Sequence, residues 1–346
     1  MKTLEKFLLG VDLVPGATAW YLSDLGRSLG RQELFTRQFP QRLEKLREHA
    51  MVESAVSSNR IEGVEVDASR VGTLVFGQAA VTDRNEEELR GYRRALEWIH
   101  AEHENIPFDK DTILRLHGLC RGEIWDAGQY KRRDGDIIER YPDGRSRVRF
   151  RTVPAAETSA RMGELFDLGL RCLREEGLPA LMVIAAINLD FLCIHPFRDG
   201  NGRVSRLLFL LQCHHAGFAV GRYISLERKI EQEKERYYEV LEQSSQGWHE
   251  GKHDPWPAIN FFLSIVKDAY REFEQRLGET PTPHGAKTQA VLEAIGRKSA
   301  PFSLAELRRD CPGVSHDLIR KVLKQQKEQG KLRCEGRGRG ATWKKT

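Results

Sequence analysis

The sequence predicts a mostly α-helical body followed by a small α+β domain. Three observations carry that expectation. Apolar helical patterns flank a polar, glycine-rich run at residues 195–206. The segment Gly278-Glu-Thr-Pro-Thr-Pro-His-Gly285 breaks the chain between a mildly acidic body and a basic tail. Within the tail, three helical patterns with capping signals precede two short strand-like runs.

Taken in order, Arg42–Arg60 reads as a helix, with Leu43, Leu46, Ala50 and Ala55 available for one face and Gly63 as its C-cap. Asp143-Gly144 suits a hairpin turn, and Val148-Arg149-Phe150-Arg151 alternates apolar and polar side chains as a strand does. Leu178–Ile194 is rich in Ala, Leu, Ile and Val, and Pro196 disfavours helical geometry at His195, so that helix ends there. Another helix opens at the glycines after it and stops near Gly217; a further one spans about Trp256 to Leu277. The tail gives Lys287–Ile295, a capping box at Ser303-Leu-Ala-Glu306, a tight connection at Cys311–Val314, and a third helix from Asp317 to Gln329, capped by Ser315 and closed by Gly330. Lys331–Glu335 and Ala341–Lys344 are then two strands around Gly336-Arg-Gly-Arg-Gly340.

A chain of 346 residues can hold two or three sizeable cores. The expected division is an N-terminal helical region at 1–110, a core at 111–277, a linker at 278–286 and a small domain at 287–346. The net charge of +5 is unevenly spread: residues 284–346 carry 15 Lys/Arg against 6 Asp/Glu, leaving the rest with a net −4. Such a tail points to a polyanionic partner. No run of 18 uncharged apolar residues occurs, so no membrane partner is expected, and Glu5 and Lys6 interrupt any secretory pattern at the start. Cys120, Cys172, Cys193, Cys213, Cys311 and Cys334 are scattered, with no Cys-x-x-Cys pair, which supports neither a zinc site nor a disulfide framework. Reduced thiols and a cytoplasmic location are the simple reading.

The run His195-Pro196-Phe197-Arg198-Asp199-Gly200-Asn201-Gly202-Arg203-Val204-Ser205-Arg206 concentrates the chemistry. It offers a base, a hard-cation ligand, backbone N–H groups at a helix start, and two arginines on one helical face within reach of one polyphosphate. The run resembles, at every defined position, the signature of Fic proteins, His-Pro-Phe-x-Asp/Glu-Gly-Asn-Gly-Arg-x-x-Arg. The resemblance implies a Fic-type helical bundle with a β-hairpin flap. It implies transfer of AMP from ATP to a Ser, Thr or Tyr hydroxyl of a target protein or of the chain itself. His195 is then the general base, and Asp199 holds Mg²⁺ against the α- and β-phosphates. Gly200, Asn201 and Gly202 form the anion cradle, and Arg203 and Arg206 bind phosphate, Arg206 on the γ side.

Three further pieces match the same family. Ser58-Asn59-Arg60-Ile61-Glu62-Gly63 fits its inhibitory motif, Ser/Thr-x-x-x-Glu-Gly/Asn, which implies that Glu62 pairs with Arg206 and leaves ATP in an unproductive pose. Ala127-Gly128-Gln129-Tyr130-Lys131 resembles the approach to the flap, whose edge would be Val148, Arg149, Phe150 and Arg151; that hairpin either guides the target by β-addition or is simply solvated. Ser225–Glu227 and Tyr237-Tyr238 resemble the helix lining the nucleotide pocket, with one tyrosine rather than both expected at the nucleotide. Ser245 stands where some relatives place an asparagine.

The tail resembles a winged helix-turn-helix domain, in which Ser315, Arg320 and Lys321 would face base edges and Arg337 and Arg339 the phosphates of duplex DNA. A protein-binding winged helix is its alternative. For the whole chain, the rivals to an adenylyltransferase are a de-adenylylase in which Glu62 orients water, a DNA-binding regulator that senses nucleotide, and transfer of another nucleotide or a phosphoryl group. The target protein is open, as is homodimer formation.

Overall fold

The structure, a computed structural model, describes residues 1–346 apart from 11–12, 39, 78–79, 123, 141–142, 176, 279–285, 299, 312–313, 337–340 and 346; at 35, 37–38, 40–41, 68, 76, 140, 278, 286–287 and 289–290 it describes the backbone alone. Two compact units result, Met1–Gln275 and Arg276–Thr346.

The first unit is helical. Its elements are α1 (Lys2–Leu9), α2 (Gly16–Gln38), α3 (Pro40–Ile61), α4 (Ala68–Phe76), α5 (Arg84–Glu102), α6 (Lys110–Arg121), a hairpin of β1 (Ile137–Arg140) and β2 (Ser146–Phe150), α7 (Ala155–Arg174), α8 (Ala180–Ile194), α9 (Asn201–His215), α10 (Leu226–Gln232), α11 (Lys234–Ser245) and α12 (Trp256–Gly278). At its centre lies α8. A helix that is apolar on every side must be covered on every side, and α8 is packed by α1, α7, α9 and α11. Its one charged residue, Asp190, is fully buried and accepts from the N–H groups of Thr3 (3.1 Å) and Leu4 (3.1 Å) and from Trp248 Nε1 (2.6 Å). The free N–H groups that open α1 are thus satisfied by a core carboxylate. Burial still raises the pKa of Asp190 despite these donors. Around this centre, α9 packs on α5 and α6, and α3 packs on α5 and α10.

The second unit contains α13 (Ala286–Arg297), β3 (Phe302–Ser303), α14 (Leu304–Asp310), α15 (His316–Glu328), β4 (Leu332–Glu335) and β5 (Thr342–Lys345). Ser303 and Glu306 form the expected capping box, and Ser315 Oγ accepts from Leu318 N–H (3.3 Å) to cap α15. Val291, Phe302, Leu307, Ile319, Val322, Leu323 and Leu332 make the core. The sheet has three antiparallel strands in the order β3-β5-β4, where the sequence suggested two. β3 is only two residues long, too short to show alternation, and exists because Phe302 pairs with Trp343 and Ser303 with Thr342. Arg337 and Arg339 lie outside the described residues, as do Pro312, Gly313 and residues 279–285 of the expected linker. All six cysteines are free, five of them buried. No helix among the described residues is long and apolar enough to cross a membrane.

One buried pair makes stability depend on pH. His100 Nδ1 on α5 faces His214 Nε2 on α9 at 3.3 Å, and both rings are buried. Burial pushes the pKa of His100 down to about 3 and that of His214 well below its usual value. Unfolded histidine titrates near ~6.5. Below that pH the unfolded chain takes up protons that the folded pair refuses, so this stability is complete above ~6.5 and is lost as pH falls. Urea unfolding at pH 7 and pH 5 checks this: the midpoint falls on acidification, and the fall is shallower in His100→Gln. An equally steep fall in the variant would place the acid sensitivity elsewhere.

Candidate active site

The helix break at Pro196 is where the site begins. His195 caps α8 in the left-handed conformation (φ 53°), the one non-glycine residue with positive φ among those described. The ring is half-buried, and its Nδ1 lies 3.3 Å from Leu192 O, so Nδ1 carries the proton and Nε2 keeps its lone pair. Burial, then the nearby Lys131 charge, lowers its pKa to about 4, leaving the ring neutral at pH 7.

Asn201 closes the loop that follows. Its side-chain amide accepts from Phe197 N–H (2.9 Å) and donates to Phe197 O (2.7 Å), folding residues 197–201 into a tight clip at the start of α9. Phe197 is buried and stacks face to face on His117 of α6, with centroids 3.8 Å apart. His117 Nδ1 accepts from Gly128 N–H (3.0 Å), so its Nε2–H donates to Asp199 O (3.1 Å). Burial holds this ring neutral, with a pKa of about 4. Gly200 needs its glycine for a φ of 82°.

The charged groups form one network. Asp199 is half-exposed; its Oδ1 accepts from Gly200 N–H (2.7 Å), and its Oδ2 from Arg121 Nη1 (2.7 Å) and Arg84 Nη2 (3.4 Å). Burial opposes its charge, but Arg121 and Arg203 hold the carboxyl below the usual range. Arg203, 1% exposed, donates from Nη1 to Glu88 Oε2 (2.7 Å) and to Asn59 Oδ1 (3.3 Å). The other oxygen of Glu88 accepts from Arg121 Nη1 (2.9 Å) and Arg84 Nε (3.0 Å). Arg206, 3% exposed, donates from Nε to Ser58 Oγ (2.9 Å) and from Nη2 to Ser58 O (2.9 Å) and Glu62 Oε1 (2.9 Å). Burial would lower the pKa of Arg206, but Glu62 raises it above the ordinary guanidinium value. Arg203 Nε and Arg206 Nη1 are buried without a protein partner among the described residues.

The expected pieces therefore converge. The last turn of α3 supplies Ser58 and Asn59, and Gly63, with φ 78°, closes it by donating to Arg60 O (3.0 Å). Tyr238 Oη donates to Ile61 O (3.2 Å), whereas Tyr237 is buried against Phe261 and Phe262. The expected hairpin is present, with Val148 opposite Ile138 and Arg147 opposite Glu139. Arg149 binds Glu242 (2.6 Å) and Tyr238 O (3.1 Å), tying β2 to α11. A cavity of about 340 Å³ lies between Val148–Arg151 and Ser245–His249. Sequence reasoning missed Glu88, Arg121, His117, Arg84 and Asn59. Their sequence signal is weak: an acid in a run of three, an arginine ending an apolar helix, and a lone histidine.

The donor set suits Mg²⁺ held jointly with phosphate. Asp199 is a half-exposed carboxylate, and no group of three or more His, Cys, Asp or Glu side chains gathers into an all-protein cage among the described residues. Mg²⁺ commonly uses one or two carboxylates plus substrate phosphates.

The Fic/DOC family model matches residues 107–213. A protein adenylyltransferase Fic of Nematostella vectensis is 27% identical over 227 residues, covering 62% of this chain and 47% of that protein. A protein of the same name from Drosophila melanogaster is 23% identical over 278 residues, covering 72% of this chain and 52% of its own. The chain thus spans about half the length of these relatives. Among solved structures, a Fic family protein of Desulfovibrio desulfuricans superimposes with a TM-score of 0.63 at 21% identity, covering 96% of this chain and 97% of the other. A Fic domain-containing signaling protein of Bacteroides thetaiotaomicron gives 0.63 at 20%, covering 75% and 98%.

Gly202 brings the start of α9 against Glu62. A Cβ there would sit 2.1 Å from Glu62 Oε1 and 3.1 Å from Arg206 Nη1. Alanine normally favours a helix over glycine by up to about 1 kcal/mol. Gly202→Ala is nevertheless expected to cost about 1 kcal/mol, because the Glu62 carboxylate must move. In a Glu62→Gly background the same change is expected to be neutral or stabilising. A double-mutant cycle by thermal unfolding measures this coupling, and additive effects would refute the contact.

Proposed function

We propose, for a chain whose residues 107–213 match the Fic/DOC family model, that this protein transfers AMP from ATP to a hydroxyl of a target protein or of itself and is restrained by Glu62. The observation that carries this reading is the Arg206 guanidinium. It is buried at the start of α9, is answered by Glu62, and keeps Nη1 without a partner among the described residues, beside Gly202. A buried cation in that position calls for an anion.

In the transfer, a Ser, Thr or Tyr hydroxyl oxygen attacks the α-phosphorus of ATP. The α–β bridging P–O bond breaks, pyrophosphate leaves, and the hydroxyl proton passes to His195 Nε2. The N–H groups at the start of α9 and the Gly200–Gly202 backbone hold phosphate oxygens. Arg206 takes the γ-phosphate once Glu62 withdraws. Asp199 would hold Mg²⁺, which would neutralise charge on the α- and β-phosphates. Arg203 acts here through Glu88 and the loop. The flap strand β2 aligns the target segment through backbone hydrogen bonds, and the cavity between Val148–Arg151 and Ser245–His249 gives its side chains room.

Glu62→Gly is expected to raise auto-transfer from labelled ATP by about tenfold or more, since a charge-assisted contact of roughly 2 kcal/mol is released to the phosphate. In that background His195→Ala loses about 10²–10⁴-fold in kcat while still binding ATP. Lower transfer in Glu62→Gly, together with AMP release from modified protein by the wild type, would instead favour the de-adenylylase, with Glu62 orienting water.

The second unit favours a separate role as a winged helix that binds duplex DNA. The supporting observation is the exposed face of α15, where Arg320, Lys321 and Lys324 reach solvent beside the exposed cap Ser315. In the full chain, Arg320→Ala with Lys321→Ala is expected to weaken duplex binding and flatten its salt dependence, with auto-transfer unchanged. A wild-type chain that fails to bind duplex at low salt would leave a protein as the partner of this unit.

A further inference from the structure

We propose that Lys131 is a positioning residue for the transfer step. It holds His195 in its left-handed conformation by binding the backbone on both sides of it, and it joins that base to the end of the flap strand. As far as the base is concerned, this rests on the adenylyltransferase reading.

A left-handed residue with a Cβ costs roughly 1 kcal/mol and persists only where its surroundings fix it. Pro196 explains why α8 stops, but not what holds His195 in place afterwards. Lys131 does so twice. Its backbone N–H donates to Pro196 O (2.8 Å), and its Nζ donates to Ile194 O (3.3 Å), so the carbonyls before and after His195 answer to one residue. The same Nζ donates to Thr152 Oγ1 (2.8 Å), two residues beyond β2, and Thr152 donates onward to Gly135 O (2.6 Å) at the other side of the hairpin.

The choice of residue is informative. Lys131 is 7% exposed, and no carboxylate lies within 4 Å of its ammonium among the described residues. An ion pair is therefore not the reason for burying this charge. Its partners are neutral oxygens arranged around the base, and an ammonium can donate to several at once. A neutral side chain of the same length cannot make that bridge. The alignment of His195 with a hydroxyl held on the flap then depends on one side chain that binds both the carbonyl preceding the base and Thr152 just beyond the flap strand.

The test uses the full chain carrying Glu62→Gly as parent, with auto-transfer measured against ATP concentration. Lys131→Met is expected to lower kcat about 100-fold, the scale of a misplaced catalytic group, with KM for ATP within about twofold, because the phosphate contacts lie on α9. Lys131→Arg is expected to recover most of the loss, and Thr152→Val to cause a smaller loss of the same kind. Thr152→Val also serves if Lys131→Met fails to fold. Unchanged kcat in a folded Lys131→Met or in Thr152→Val, or a rise in KM with kcat intact, would overturn the assignment. A crystal structure of Lys131→Met, or of Thr152→Val, separates this proposal from the reading beneath it. His195 leaving the left-handed region supports the clamp even if the parent transfers no AMP, an outcome that would sink the transferase reading alone. His195 unmoved there overturns the clamp whatever the parent does.

Discussion

Three guanidinium groups, those of Arg121, Arg203 and Arg206, are buried where α9 begins, and their charge dictates the arrangement around them. A buried charge stripped of its partner costs about 3–5 kcal/mol, so each must be answered. Glu88 answers two of them from α5, which fixes the register of α5 against both α6 and α9. Glu62 answers the third from the end of α3. The two acids differ in one respect: the side chain of Glu88 is 2% exposed and that of Glu62 is 29% exposed. Withdrawing Glu88 would strand Arg203 in the interior and leave Arg121 to Asp199. Withdrawing Glu62 strands Arg206, at a rim open to an incoming anion. On the proposed reading, the carboxylate that exchanges for phosphate is thus the one at the edge, and the exchange would leave the charge balance of the interior intact.

Much of this was legible in the sequence because it depends on local rules. Pro196 ends α8, Gly200 supplies a positive φ, Gly63 closes α3, and the Ser303–Glu306 box opens α14, each from its immediate neighbours. Glu62 and Arg206 could be paired in advance only through the family resemblance, since 144 residues separate them. The remainder of the site was illegible for a physical reason. Glu86, Glu87 and Glu88 follow one another on a helix and point about 100° apart. Packing alone decides that Glu88 meets Arg203 and Arg121 while Glu86 meets Arg70. The same rotation separates Tyr237, which faces the aromatic core, from Tyr238, which reaches Ile61. His117 gave no signal, because stacking on Phe197 is a contact between segments far apart in the chain.

The strand order β3-β5-β4 constrains how the second unit comes into being. The middle strand of the sheet is the last to be synthesised. Until Thr342–Lys345 exists, Phe302 and Ser303 have no ladder to join, and Leu332–Glu335 has no neighbour. The helices α14 and α15 can form earlier from their own caps, and Leu307, Ile319 and Leu323 can begin to cluster. Closing the sheet then requires bringing together segments about forty residues apart, a loop-closure cost borne late. On the ribosome, this unit therefore passes through a stage with its helices in place and two strand edges unpaired, a form open to wrong partners. Helix formation is local in this unit, but its completion waits on its final strand.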